Sequence, residues 1–156
     1  MDFGLTDEQD QLAAAERSWL DRNDPISGVR ATLDSDAVKL DPAAAMHAAE
    51  SGLLTLLTSE MGGSHVDLAV LSEAHGYAGS SLPIADLAIA AWMLDKIGVA
   101  RPDGELVGVA QGLAGPSSPV PMAADMDAVA VAGHVDGKEC LTLVTADPLG
   151  DERMFA

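Results

Sequence analysis

The stretch Glu50–Gly76, "ESGLLTLLTSEMGGSHVDLAVLSEAHG", decides how this chain is read. It opens and closes with helix formers and is broken in its middle by Glu60, Met61 and the adjacent glycines Gly62 and Gly63. Glycine supplies what a helical corner needs: positive φ without steric cost, and room for one stretch of backbone to approach another. An acid beside such a corner is placed to accept from N–H groups that a helix start leaves unpaired. The stretch therefore predicts two helices joined at a corner, with Gly62 and Gly63 forming the turn and Glu60 accepting from its amides. That is a packing device, not a catalytic one.

Working outward, "LDPAAAMHAAESGLL" places Asp41 as an N-cap and Pro42 at the first helical position, where its missing N–H costs nothing. Met46, Ala49, Leu53, Leu56 and Leu57 recur near the helical period, so one helix with a buried stripe along these residues is expected. At the start of the chain, "LTDEQDQL" gives Thr6 and Gln9 the spacing of a capping box, with Asp7 and Glu8 adding negative charge to the first turn. Leu12, Glu16, Trp19 and Leu20 then share a mostly apolar face, and Asp34 and Asp36 fall in a polar linker. After the corner, Asp67–Ala78 predicts a helix with Leu68, Leu71 and Ala78 on one side. "IADLAIAAWMLDKIG" is apolar nearly all round, as a helix enclosed by neighbours is, and ends on Gly98, suited to a left-handed cap.

Beyond Arg101 the hydrophobic period changes from 3.6 to 2. "ELVGVAQG", "AVAVAG" and "CLTLVT" read as short strands, and Asp136-Gly137 between the last two is a strong hairpin signal. The glycines and prolines of "GLAGPSSPVPMAADMD" mark a loop. The fold class expected is mainly α, a helical domain over residues 1–100, followed by a partial, short antiparallel β segment over 101–156.

With 156 residues and 48% hydrophobic composition the chain can build a core. Eight basic against 25 acidic residues give a formal net charge of -17, a field that repels nucleic acid and anionic membrane surfaces alike. Apolar runs break well before the ~20 residues of a bilayer span. Asp2 follows Met1 where a basic, then apolar, signal segment would stand, so a cytoplasmic protein is expected. The single cysteine, Cys140, sits in a strand-like run and reads as a core residue. His65, Asp67, Glu73 and His75 crowd together in sequence but fit no tight ligand spacing, so no metal site is expected. The glycines Gly108, Gly112 and Gly115 lack the Gly-Lys-Ser/Thr ending of a phosphate loop.

Two passages carry a family resemblance. "MDFGLTDEQDQLAAAERSWL" resembles the opening helix of the acyl-CoA dehydrogenases, and Glu50–Gly76 resembles their passage from a Gly-Leu helix end through an acid and a Gly-Gly turn into a second helix. The likeness covers about the first hundred residues and rests on the order of the elements. It implies an α-helical N-terminal domain, then a β middle domain whose start falls near Arg101, then a C-terminal four-helix bundle. On this reading the middle domain is incomplete at Ala156 and the bundle is absent.

The resemblance further implies an FAD-dependent oxidoreductase acting on an acyl-CoA in lipid or steroid catabolism, in which a glutamate removes the α-proton while the β-hydrogen leaves as hydride. That base belongs to the C-terminal bundle, so no catalytic residue is named. Flavin contacts belong to the middle domain, where "GVAQGLAGPSSPVP" lacks the family's Thr-Glu-Pro and Gly-Ser-Asp stretches and offers Gln111, Ser117 and Ser118 instead. The acyl chain would lie along Pro83, Ile84, Leu87, Ala88 and Ala91, whose alanines leave room for a bulky group; without the resemblance the same stripe reads as plain core. Two functions remain open. One is an acyl-CoA dehydrogenase seen as its N-terminal part, or as a subunit acting with a catalytic partner in a homo- or hetero-oligomer. The other is a non-catalytic relative that binds another subunit.

Overall fold

The computed structural model describes residues 4–31, 39–101, 105–111, 125–135 and 138–145. Its elements are α1 (Asp7–Asn23), α2 (Pro25–Ala31), α3 (Pro42–Glu50), a 3-10 turn (Leu53–Thr55), α4 (His65–Ala78), α5 (Ile84–Lys96), and strands β1 (Val107–Gln111), β2 (Ala128–Val135) and β3 (Lys138–Thr145). They group into two compact units, residues 1–85 and 86–156. The change of period near Arg101 marks the end of the helices, whereas packing groups most of α5 with the strands.

In the first unit α1 begins as its sequence requires. Thr6 Oγ1 accepts from Gln9 N–H at 3.2 Å, and the Gln9 side chain accepts from Thr6 N–H at 3.1 Å. It ends at Asp24, which takes a left-handed φ of 42° and donates its N–H to Leu20 O, and Pro25 then opens α2. Ala13, Glu16 and Leu20 form its buried face. α3 has the expected Asp41 cap, whose carboxylate accepts from Ala43 N–H at 2.9 Å.

The single helix expected to carry a stripe from Met46 to Leu57 does not form; of that stripe Leu53 and Leu57 are buried, Leu56 is half-buried, and Met46 and Ala49 are exposed. α3 stops at Glu50, Gly52 turns left-handed at φ 73°, and the chain passes through the 3-10 turn. Ala44, Ala45 and Ala48 are the buried positions of α3, while Met46 is 60% exposed. Periodicity carried across Gly52 assumed continuous helix, and a left-handed residue rotates every later side chain onto another face.

The corner is where it was expected, with its roles divided. Gly62 takes φ +70°, and its N–H donates to Thr58 O at 2.9 Å. Gly63 does not have positive φ; its N–H donates to Leu56 O at 2.9 Å, and a Cβ there would stand 2.6 Å from that oxygen. Glu60 is exposed, and the carboxylate that serves the corner is Asp67, which accepts from Ser64 N–H at 2.7 Å. Ser64 in turn accepts from Asp67 N–H at 3.2 Å, closing a capping box at the head of α4. Asp67 also accepts from the Gln9 side chain at 3.0 Å, which ties this cap to α1.

α5, which belongs to the second unit from Asp86 onward, has no exposed position from Ile84 to Asp95. Its end is a Schellman turn: Gly98 at φ +71° donates to Asp95 O, and Val99 N–H donates to Leu94 O, both at 3.0 Å. Ala90 and Leu94 pack with Val107, Ala128 and Ala130 of the sheet, flanked by Val109, Leu141 and Leu143.

The sheet order is β1-β2-β3, and it is mixed. β2 and β3 form the expected antiparallel hairpin, Val135 opposite Lys138; the turn residues Asp136 and Gly137 lie outside the described residues. β1 pairs parallel to β2, Val107 opposite Ala128, against the expectation of a wholly antiparallel segment. Residues 112–127 are long enough for the crossover that parallel strands need, and strand periodicity carries no information on direction. Cys140 is half-buried on β3, its thiol donating to Gly133 O at 3.3 Å, and not a full core residue.

Candidate functional site

The sequence-derived positions fall in two places. On α5 and just before it, Ile84, Leu87, Ala88 and Ala91 are buried and Pro83 is half-buried, so the stripe expected to face an acyl chain is closed to solvent. Beside it Asp86, in the first turn of α5, has its carboxyl pushed above the ordinary carboxylate range by burial. Gln111 ends β1, its backbone opposite Ala132, while Ser117 and Ser118 lie outside the described residues.

A polar cluster lies instead inside the first unit. Glu16 of α1 is 4% exposed, and each of its carboxylate oxygens meets a different histidine. Oε2 stands 2.9 Å from His47 Nε2 of α3, and Oε1 stands 3.0 Å from His75 Nε2 of α4. His47 stacks on Trp19, ring centroids 4.0 Å apart and planes within 6°, and its Nδ1 is 3.3 Å from Ser51 Oγ. His75 is 2% exposed, and its Nδ1 has no hydrogen-bond partner. Burial pushes the Glu16 pKa up, but the hydrogen bonds it accepts from His75 and His47 lead the effects that outweigh it and hold the group below the ordinary range.

The cluster makes three helices interdependent through one carboxylate. Its only sign in the sequence was Glu16 itself, a charge in the register of Leu12, Trp19 and Leu20; the partners are 31 and 59 residues away. The acids and histidines of the 65–75 stretch are dispersed: His65 is exposed, Asp67 caps α4, Glu73 pairs with Arg17 at 2.7 Å, and His75 is bound to Glu16. Among the described residues no group of three or more His, Cys, Asp or Glu side chains could hold a metal ion. No described helix is long and apolar enough to cross a membrane.

No protein-family model and no curated protein sequence matches the chain. Solved structures do. The chain is similar to a chain of the ChsE4-ChsE5 complex from Mycobacterium tuberculosis, with a TM-score of 0.71 and 17% identity over 94% of this chain and 49% of that one. It is also similar to the Tcur3481-Tcur3483 steroid ACAD G363A variant, with a TM-score of 0.63 and 21% identity over 90% of this chain and 48% of that one. These neighbours are acyl-CoA dehydrogenase-type proteins, each with two named components, and this chain shares the fold of the part of each that it covers. The chain spans about half the length of both.

Proposed function

We propose that this chain supplies the N-terminal part, or one subunit, of an FAD-dependent acyl-CoA dehydrogenase that introduces a double bond α,β to an acyl-CoA thioester. The observation that carries the reading is the likeness over 90% or more of the chain to two acyl-CoA dehydrogenase-type structures. The word steroid in the name of one supports a bulky steroid-derived acyl group as substrate class, and the paired names of both support a hetero-oligomer.

FAD, when bound, would accept the β-hydrogen as hydride. The described part of the second unit presents the apolar cluster of α5 and the sheet. Gln111, Ser117 and Ser118 are the proposed flavin contacts of this chain. The glutamate base is assigned to the assembly and not to any residue of these 156. What the chain contributes is the enclosed helix α5 and the helical unit held together through Glu16.

The test is flavin retention. The reading frame is followed past Ala156, the longer product or the co-encoded acyl-CoA dehydrogenase-like chain is purified with this one, and the flavin absorbance band is measured in the assembly and in the 156-residue chain. The reading expects FAD in the assembly and none in the chain alone. An assembly that forms without flavin favours the alternative, a non-catalytic partner subunit; saturable FAD binding by the chain alone overturns the division between them.

A further inference from the structure

We propose that Glu16, His47 and His75 form a tautomer-locked clasp, in which one carboxylate fixes the ring proton of both histidines on Nε2 and so ties α1 to α3 and α4. A carboxylate only accepts, so the contacts at 2.9 and 3.0 Å are hydrogen bonds only if both Nε2 atoms carry protons. The depressed pKa of Glu16 keeps that carboxylate ionised near neutrality. Nδ1 of His75 agrees with the assignment: it is buried with no partner, and a proton there would be a donor without an acceptor. Nδ1 of His47 differs, because Ser51 Oγ at 3.3 Å can either donate to it or accept from it.

This asymmetry makes a sharp consequence. In Glu16→Gln the side chain keeps its shape but offers one acceptor and one donor, so only one histidine can still donate to it. The other must carry its proton on Nδ1. His47 can do so, because Ser51 is there to accept; His75 cannot without burying an unpaired N–H. The amide of the glutamine therefore turns its NH2 to His47, and only His47 changes tautomer.

Long-range proton–nitrogen correlation of the imidazole rings in the 156-residue chain tests this, with His47→Gln and His75→Gln used to assign the signals. The expected wild-type result at neutral pH is the Nε2–H pattern for both rings, unchanged by equimolar Zn2+. In Glu16→Gln, His47 is expected to move to the Nδ1–H pattern while His75 keeps Nε2–H. Amide exchange in α1 should quicken by about tenfold or more in Glu16→Ala, which removes the acceptor of the buried His75 and of the half-buried His47. An Nδ1–H pattern for either ring in the wild type overturns the clasp even if the variants do not fold. So does a switch at His75 in place of His47, and so does a zinc-induced shift of both Nε2 signals, which would make the cluster a metal site.

Discussion

Gly62 and Gly63 hold the corner for different reasons, and substitutions separate them. At Gly62, with φ +70° and open space around it, alanine suffers only the left-handed penalty of about 1–2 kcal/mol. At Gly63 the new Cβ would meet Leu56 O at 2.6 Å and two Leu56 side-chain carbons at 2.7 Å, so Gly63→Ala is expected to cost at least ~2 kcal/mol by overpacking. Gly76, inside α4 with nothing within 4 Å and no positive φ, should gain up to ~1 kcal/mol as alanine. Urea unfolding midpoints of the three variants check the order, and a neutral Gly63→Ala would remove the close approach as an explanation. The glycine pair was legible in sequence because only glycine serves such a corner. Which of the two carries the φ was not legible, since that depends on how closely the Leu56 carbonyl approaches.

At the scale of elements, caps were readable and partners were not. The Thr6–Gln9 box, the Asp41 cap and the Gly98 end obey local rules over a few residues, and all are present. The role expected of Glu60 is filled by Asp67, and Glu16 finds His47 and His75 only through tertiary packing. Both carboxylates are held below their ordinary pKa values: Asp67 chiefly by the Ser64 backbone N–H, Glu16 by its histidines against the opposing effect of burial. A carboxylate depressed in the folded state contributes stability that is complete above its unfolded pKa and is lost as pH falls through the folded one. The melting temperature should therefore hold steady down to the ordinary carboxylate range, roughly pH 4, and fall below it. In a Glu16→Gln, Asp67→Asn double variant it should begin lower and fall less. An identical acid profile in that variant would show that these groups do not link α1 to its neighbours. Within the second unit, Leu94 is 1% exposed against Val107, Ala128 and Ala130, so Leu94→Ala should cost about 2–5 kcal/mol by denaturant unfolding. A loss below ~1 kcal/mol would mean that α5 is not the cover of this sheet.

At the scale of the molecule, the order of elements was the legible quantity. A capped helix, a Gly-Gly corner and an enclosed helix followed by a change of period pointed to the fold that the solved structures share at 17% and 21% identity. Chain direction within the sheet was not legible, because alternation looks the same in parallel and antiparallel strands. Nor was a working site, since the stripe of Ile84, Leu87, Ala88 and Ala91 reads as core or pocket with equal ease and is buried here. The proposed division of labour, helical support in this chain and flavin chemistry in the assembly, is tested most directly by turnover. Steroid-derived and simple acyl-CoA thioesters are supplied with FAD and an artificial electron acceptor to the 156-residue chain and to its assembly, and acceptor reduction is followed. The account predicts reduction by the assembly and none by the chain alone; turnover by the purified chain, or an FAD-loaded assembly inert toward every acyl-CoA supplied, would contradict it.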